Sequence, residues 1–426
     1  MRVLFCSEFY YPSVGGVQEV MRQVAERLVE LGHDVTVATS KLANRATLQL
    51  NGVSIKEFDV KGNFVSGMLG EVLDYQTYLI TSEFDVIMIK AAQQWTFDAT
   101  WEIIDRIKTP KVFIPCGFSA LYNPEYEAYF KLMPAILKQF DHLIFYASKY
   151  RDIEFAKKNG ITNYSILPNG ASEKEFNCLK DLRFRERNKI SENSFLYLTV
   201  GSFTGTKGHW EVVKAFESLD LQPNEHATLI LNGNIPYTST HDIWRNLKLV
   251  FNSNGLFIGI KHLVYILFKK LGVTFKKKSP EEIAKTINLK QSNKKVIISD
   301  FPRNELIQAF MNADLFVFAS NIEYSPLVLF ESAAAGTPFL TVDVGNSLEI
   351  LEWTGGGFVC ESYKNHRNFT NVEIQHLATS MRNLMNDKSA LDQKGRQGKI
   401  KWQEKFTWDV ITKKYEAILM SVCNRK

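Results

Sequence analysis

The sequence lacks the patterns that mark secreted, membrane-spanning and zinc-binding proteins. Its five cysteines are an odd number and form no C-x-x-C pair, which argues against a disulfide framework and against a zinc site. The N-terminal MRVLFCSEFYYPSVGG has no secretion-signal pattern, and no stretch of about 18 apolar residues is present that would span a bilayer. We therefore expect a cytoplasmic protein.

Several ligand-binding signatures are also missing. No D-x-D occurs and the eight histidines show no ligand spacing, so no metal ion is expected. The formal net charge of +5 is mild for 426 residues and the basic residues are dispersed, which argues against nucleic acid as a partner. The absence of G-x-G-x-x-G argues against a nicotinamide cofactor.

What is present is an alternation of apolar strands and amphipathic helices in two halves. A chain of 426 residues favours two domains, and the alternation predicts a doubly wound α/β sheet in each. We predict a first domain over 1–185 and a second over 186–404, with a final helix over 405–426 that packs back on the first. Such a pair leaves a cleft between the carboxyl edges of its two sheets.

An insertion over about 235–293 interrupts the second half. Its segment 256–278 joins an apolar run to a cluster of lysines. One interpretation is a helical insertion packed on the domain. The other is an interfacial segment that lies on an anionic membrane, with the lysines at the headgroups.

Two glycine-containing loops precede predicted helices. Gly15 and Gly16 come directly before the first helix, where a bare backbone lets an anion approach the helix N-terminus, although a simple tight turn would have the same sequence. In the second half, TVGSFTGTKGHW contains Gly201 and Ser202 and places Lys207 between a strand and a helix. A lysine there can neutralise a diphosphate, or it can be an ordinary surface residue.

The segment NIEYSPLVLFESAAAGTPFL places Glu323 and Glu331 on either side of an apolar run. Pro326 can open a helix and Gly336 can end it, so we predict a helix over Leu327 to Ala335. The backbone amides of Ser325, Pro326, Leu327 and Val328 mark its start and, apart from the proline, form an anion site. If neither acid binds a ligand, Glu323 is a loop acid and Glu331 a solvated helix residue.

Taken together, these motifs resemble those of the retaining glycosyltransferases of family 4, which have the GT-B fold. The resemblance covers nearly the whole chain, and its most specific part is the E-x7-E segment followed by Ala-Gly-Thr-Pro. The other parts are YYPSVGGVQ, LGHDVTVATS, ILPNGASEKEF, TVGSFTGTKG, GGGF and the terminal FTWDVITKKYEAIL.

The resemblance implies a role for each candidate residue. Glu331 would hold the ribose hydroxyls of a nucleotide sugar and Glu323 the donor sugar, while Lys207 and Gly16 would contact the diphosphate. Members of this family act without a metal ion and retain the anomeric configuration. No cofactor is implied beyond the donor substrate itself.

Two positions depart from the family pattern. The family usually has arginine where this chain has Ser202, and histidine where it has Cys116. A cysteine thiol is a weak donor and cannot carry a positive charge. Either the contact is left to the main chain near Gly117 and Ser119, or activity is reduced. A nucleophilic Cys116 is a third alternative, for which the sequence offers no basic partner.

We therefore expect a transferase that moves a sugar from a UDP- or GDP-linked donor to a hydroxyl of a glycan or lipid-linked glycan. Cell-surface polysaccharide or lipopolysaccharide assembly at the inner face of the membrane is the expected setting. The aromatics of AAQQWTFDATW, residues 91–101, can stack on acceptor sugars or simply pack in the core. The alternative is a catalytically weak GT-B subunit that supports a partner enzyme.

Overall fold

The computed structural model describes residues 1–13, 15–233, 278–365 and 368–424, and the elements below belong to these ranges. Two large parallel sheets dominate them. The strands of the first half are β1 Arg2–Cys6, β2 Asp34–Ser40, β3 Gln49–Leu50, β4 Val53–Phe58, β5 Val60–Asn63, β6 Gly67–Gly70, β7 Val86–Lys90, β8 Lys111–Ile114, β9 His142–Phe145 and β10 Tyr164–Ile166.

The first sheet has the order β10-β9-β8-β7-β1-β2-β4-β3, and every pairing in it is parallel except that of β3 with β4. Strands β5 and β6 form a separate hairpin. The helices of this half are α1 Gly16–Glu30, α2 Val72–Thr81, α3 Trp95–Asp98, α4 Glu127–Leu137 and α5 Arg151–Lys158, with a 3₁₀ turn at Pro124–Tyr126. Helix α1 buries Val20, Val24 and Leu28 against one face of the sheet, as its apolar spacing predicts.

The second sheet repeats the architecture with the order β13-β12-β11-β14-β15-β16, all parallel. Counted within this half, the order is 3-2-1-4-5-6, which is that of a dinucleotide-type doubly wound sheet. Its strands are β11 Ser194–Val200, β12 His226–Asn232, β13 Lys294–Ser299, β14 Leu315–Phe318, β15 Phe339–Thr341 and β16 Gly357–Val359, and a small pair β17 Tyr363–Lys364 and β18 Thr370–Asn371 follows.

Ten described helices follow β10 in the chain. They are α6 Glu173–Phe176, α7 Phe184–Arg187, α8 His209–Glu217, α9 Pro280–Lys290, α10 Arg303–Asn312, α11 Leu327–Ala335, α12 Ser347–Thr354, α13 Ile374–Met385, α14 Lys388–Lys405 and α15 Trp408–Cys423. Helix α11 has the predicted bounds, with Pro326 before it and Gly336 after it at a φ of 76°. The predicted fold class, two doubly wound α/β domains, is confirmed.

The last helix, α15, leaves the second half and packs on the first sheet. Trp408, Ile411 and Tyr415 lie in the same apolar cluster as Val3 and Val35 of that sheet. Where the chain passes from the first sheet toward the second, Phe176 and Phe184 lie in the apolar core of the second sheet. The domain limits 1–185 and 186–404 stay a prediction.

None of the described helices is both long and apolar enough to cross a membrane.

Candidate active site

The carboxyl edge of the second sheet carries the loops that contain Lys207 and Glu323. Strands β11 and β14 are neighbours in the middle of this sheet, although β12 and β13 separate them along the chain. At such a switch point the following loops diverge, and ligands of doubly wound sheets bind between them. The loop after β11 leads into α8 and the loop after β14 leads into α11. The two predicted residues therefore flank the place where this fold binds ligands.

Gly208 brings these two loops into close contact. Its φ is 78°, and a side chain built on it would lie 2.3 Å from the Ala319 carbonyl oxygen. Only glycine can hold this conformation without pushing the loops apart. Gly201 and Ser202 begin the same loop, and Ser202 is exposed.

Lys207 and Glu323 contact each other directly. Lys207 Nζ lies 2.6 Å from Glu323 Oε1, and the Ser320 hydroxyl donates to the same oxygen over 2.9 Å. The side chains are 29% and 14% exposed, so the pair is partly open to solvent. A charge-assisted bond in such a half-buried place orients both groups, and an anion next to Lys207 would share its three N–H donors with Glu323.

The start of α11 lies beside this pair and faces the start of α1. The Ser325 hydroxyl is buried, and no hydrogen-bond partner for it lies among the described residues. A methyl group built on Gly16 would lie 3.9 Å from Leu327 Cδ1, so the first residue of α1 approaches the first residue of α11. Two helix N-termini with unpaired amides therefore lie close together, an arrangement that favours a negatively charged ligand.

Glu331 lies one turn into α11 and is nearly buried, with 8% exposure. It is paired with Arg303, the first residue of α10, at 2.6 Å from Nη2 to Oε1. The same guanidinium nitrogen lies 2.6 Å from Glu175 Oε2. A carboxylate has about four acceptor positions, so Glu331 keeps capacity for sugar hydroxyls.

Sequence reasoning missed Arg303. Burial disfavours its charge, but Glu331 and Glu175 outweigh burial and raise its pKa above the ordinary value. A signal was available: a cation in the first turn of a helix opposes the helix dipole, so an arginine there needs a local anionic partner.

The comparisons with known proteins identify the family and the fold. The family model described as "Glycosyl transferases group 1" matches residues 181–399, a little over half of the chain. The chain belongs to the group 1 glycosyl transferases. It is therefore a transferase enzyme, and the matched range contains Lys207, Glu323 and Glu331. A comparison with curated protein sequences finds no match.

Solved glycosyltransferases share the fold over the full length. Sucrose-phosphate synthase from Thermosynechococcus elongatus is 15% identical with a TM-score of 0.69, and 100% of both chains is covered. Anabaena Alr3699/HepE in complex with UDP is 15% identical with a TM-score of 0.67, covering 99% of this chain and 100% of that one. WaaG, a glycosyltransferase involved in lipopolysaccharide biosynthesis, is 19% identical with a TM-score of 0.61, covering 98% and 99%. The likeness confirms the predicted GT-B fold.

The carboxyl edge of the first sheet places Lys90 at the second switch point of this glycosyltransferase. Lys90 ends β7, which is the neighbour of β1, and its side chain is fully buried. Its Nζ donates to the Val17 carbonyl in the first turn of α1 over 3.2 Å and lies 5.4 Å from the Tyr146 ring centre. Burial lowers the pKa of Lys90 to about 8. Sequence reasoning missed this residue, although a lysine that closes an apolar strand was a visible signal.

Cys116 follows β8 on the same edge, with a φ of 59°. Burial raises the pKa of its thiol to about 11, and the nearby Lys90 only partly offsets this. The thiol is therefore neutral near pH 7, so it can serve as a weak hydrogen-bond donor but is a poor nucleophile.

Two acids on this edge were also missed. Asp98 is almost completely buried and accepts hydrogen bonds from the Tyr129 hydroxyl at 2.6 Å and the Phe64 amide at 2.9 Å. Burial raises the pKa of Asp98 to about 6. Glu8, in the loop after β1, has its pKa raised to about 7 by burial and by the charge of Asp98. No feature of the sequence distinguishes them from surface acids.

Of the two alternatives for the aromatics of 91–101, the structure supports core packing for those that it buries. Trp95 and Phe97 are both 0% exposed, and Phe97 stacks on Phe113 of β8 at 4.1 Å between ring centres. These rings form the core beneath the edge, because a short helix after a central strand points its apolar side chains into the sheet.

Two further predictions concern metal binding and membrane contact. Within residues 1–13, 15–233, 278–365 and 368–424, no group of three or more His, Cys, Asp or Glu side chains could hold a metal ion. The segment 256–278 lies outside the described residues except for Lys278, so membrane contact stays a prediction.

Proposed function

We propose that this protein is a retaining, metal-independent glycosyltransferase of family 4. It transfers a sugar from a nucleoside diphosphate sugar to a hydroxyl of a glycan or lipid-linked glycan. One observation carries the proposal: the Lys207–Glu323 pair lies at a switch point beside two helix N-termini that face each other. This arrangement offers positive charge to a diphosphate and a carboxylate to the sugar attached to it.

The proposed reaction breaks the bond between the anomeric carbon and the β-phosphate oxygen. The acceptor hydroxyl attacks from the face that the phosphate leaves, and its proton passes to the departing phosphate oxygen. Negative charge grows on the diphosphate during this step, so Lys207 and the amides at the start of α11 stabilise the transition state more than the ground state. Glu323 binds hydroxyls of the donor sugar, and Glu331 binds the ribose.

The donor class has independent support. A structure of Anabaena Alr3699/HepE, which shares the fold, is in complex with UDP-glucose. We propose a UDP- or GDP-linked sugar for this chain, with UDP as the first to test. No cofactor is proposed, because a lysine and two helix N-termini can supply the charge that a metal ion would otherwise bring.

The acceptor is proposed to be a glycan or lipid-linked glycan in cell-surface polysaccharide or lipopolysaccharide assembly. WaaG, with the same fold, is involved in lipopolysaccharide biosynthesis. The apolar and lysine-rich sequence of 256–278 supports peripheral contact with the inner face of an anionic membrane.

The decisive experiment is a donor screen followed by product analysis. Thermal shift with UDP, GDP, ADP and CDP identifies the base, because a ligand that binds the folded state raises the melting temperature. Transfer from the matching sugar nucleotides is then measured with and without EDTA, and NMR gives the anomeric configuration of the product. Inversion, or loss of activity in EDTA, would contradict the proposed mechanism. Tight nucleotide binding without turnover of any donor would instead favour the non-catalytic subunit.

A further inference from the structure

Tyr324, the residue directly after Glu323, extends from the second domain into the first. Its ring centre lies 4.7 Å from that of Tyr150 and 5.6 Å from that of Tyr146. Its hydroxyl accepts the Tyr146 amide proton over 3.0 Å, and burial, together with the charge of the nearby Asp152 carboxyl, raises the pKa of Tyr324. The residue next to the proposed sugar-binding acid is therefore inserted among first-domain side chains.

Residues of the first domain pack closely around the Tyr324 ring. Gly117 has a φ of 87°, and a side chain there would lie 3.0 Å from Tyr324 Cγ and 3.1 Å from Tyr150 Cε1. The Gly117 amide donates to Asp152 Oδ2 over 2.8 Å, so Gly117 and the Asp152 carboxyl are held together beside the ring. Any residue larger than glycine would displace the ring.

First-domain side chains also hold the backbone on both sides of Tyr324. The Tyr150 hydroxyl donates to the Glu323 carbonyl over 2.7 Å. The Asn169 amide group donates to the Ser325 carbonyl over 3.1 Å. The loop that carries Glu323 is thus fixed from the first domain through its carbonyls, while its carboxylate is fixed from the second domain by Lys207 and Ser320.

A second set of bonds lies beside this contact. Glu349 of α12 accepts the amide protons of Ser148 at 2.7 Å and Lys149 at 2.9 Å. The Asn346 side chain donates to the Tyr146 carbonyl over 3.0 Å. The strip from Tyr146 to Tyr150 is therefore the first-domain surface that receives both the Glu323 loop and the start of α12.

We infer that Tyr150 and Tyr324 are positioning residues that place Glu323 for catalysis only while the two domains are in contact. The inference rests on the proposed role of Glu323 at the donor sugar. Separation of the domains breaks the Tyr150–Glu323 bond and withdraws the Tyr324 ring, which releases one side of the loop. Contact between the domains and alignment of Glu323 then occur together. A displacement of about 1 Å at a reacting group can lower the rate by about 100-fold.

The first test removes one hydroxyl. Tyr150→Phe keeps the ring contact with Tyr324 and deletes the bond to the Glu323 carbonyl. We expect kcat to fall by about tenfold, with the donor KM and the UDP affinity changed less than twofold, because nucleotide contacts stay in place.

The matched control is Tyr197→Phe. Tyr197 is buried in β11 and its hydroxyl donates to the Met381 carbonyl over 3.0 Å, so this variant also loses one buried tyrosine-to-carbonyl bond. Its melting temperature should fall while its kcat stays at the wild-type value. A kcat for Tyr150→Phe equal to that of the control, or a loss confined to donor KM, would overturn the inference.

The second test does not require turnover. Small-angle scattering in saturating UDP compares the wild-type chain with Tyr324→Ala, which removes the inserted ring, and with Tyr197→Phe. We expect a larger radius of gyration for Tyr324→Ala alone, since the domains separate. Identical radii for all three proteins would overturn the coupling. If the wild-type enzyme transferred no donor sugar, the proposed function would fail, while this comparison would still decide whether Tyr324 holds the domains together.

Discussion

The carboxyl edges of the two sheets are both built from parallel strands, but their charged side chains differ in burial. At the second edge, Lys207 and Glu323 form a partly exposed ion pair. At the first edge, Lys90 and Asp98 are buried, and each has a pKa shifted toward its neutral form. A ligand can therefore pair with the charged side chains of the second edge. At the first edge, burial disfavours the charged forms of Lys90 and Asp98.

Under the proposed function, this difference favours different surfaces for the two substrates. A diphosphate carries charge that must be matched, and the second edge has a cation and a helix N-terminus to match it. A hydroxyl acceptor is neutral, so polar side chains of the first edge can bind it by hydrogen bonds without any ligand charge to match. The following substitutions test whether the contrast is functional.

The largest effect is expected from Glu323→Gln at the second edge. The amide keeps the shape but loses the negative charge near the anomeric carbon and weakens the bond to Lys207, so kcat should fall by about 100-fold or more. Steady-state kinetics with the best donor gives the value. Glu361→Gln, a change at a second-domain glutamate whose side chain is 86% exposed, serves as the control. Near-full activity of Glu323→Gln would remove this acid from the sugar site.

A smaller loss is expected from Lys207→Ala. Removal of the ammonium should weaken UDP binding by about tenfold to 100-fold, and the remaining affinity should depend less on salt. Isothermal titration at two ionic strengths measures both. Lys401→Ala on α14, which breaks an exposed pair with Glu404, should bind UDP as the wild type does. Unchanged affinity of Lys207→Ala would exclude it from the phosphate site.

At the first edge, Glu8→Gln should change stability in a pH-dependent way. The folded-state pKa of Glu8 is raised to about 7 from an ordinary value of 4.5. Glu8 therefore does not change the free energy of unfolding at low pH, and its ionisation lowers that free energy progressively as pH rises from 4.5 through about 7. We expect Glu8→Gln to melt about 2 °C or more above the wild type at about pH 8 and at the same temperature at about pH 4.

The comparison for Glu8 is Glu127→Gln on the exposed face of α4. Pairing with Lys131 lowers the pKa of Glu127, so this variant should show no gain at high pH. Equal melting temperatures for Glu8→Gln and wild type at high pH would mean that ionisation of Glu8 does not destabilise the folded state.

The smallest effect is expected from Cys116→Ser. Because the Cys116 thiol is neutral near pH 7, a hydroxyl can replace it as a donor, and kcat should stay within about threefold of the wild type. Cys116 should also resist iodoacetamide at neutral pH, whereas the exposed Cys178 can react. Rapid alkylation with parallel loss of activity would show a thiolate and restore the nucleophile hypothesis.

Local signals in the sequence predicted the second edge well. The bounds of α11 follow from Pro326 and Gly336, which act on their immediate neighbours. The strand-loop-helix pattern around Lys207 is equally local, so the residues next to each loop are enough to assign both loops to one sheet edge.

The first edge and the contact between domains depend on residues far apart in the chain. Tyr150 and Glu323 are separated by 173 positions, and Tyr150 meets this loop only when both sheets are formed. The burial of Asp98 and Lys90 depends on the strands and loops packed around them. Apart from the position of Lys90 at the end of an apolar strand, the sequence carries no information on such contacts, because an acid looks the same in a sequence whether it is buried or solvated.

The approach of Gly16 to Leu327 has a consequence for the catalytic cycle. Each helix start bears a partial positive charge, so two of them side by side repel each other. Under the proposed function, a nucleotide bound between them would offset this repulsion, and its release would favour separation of the two domains.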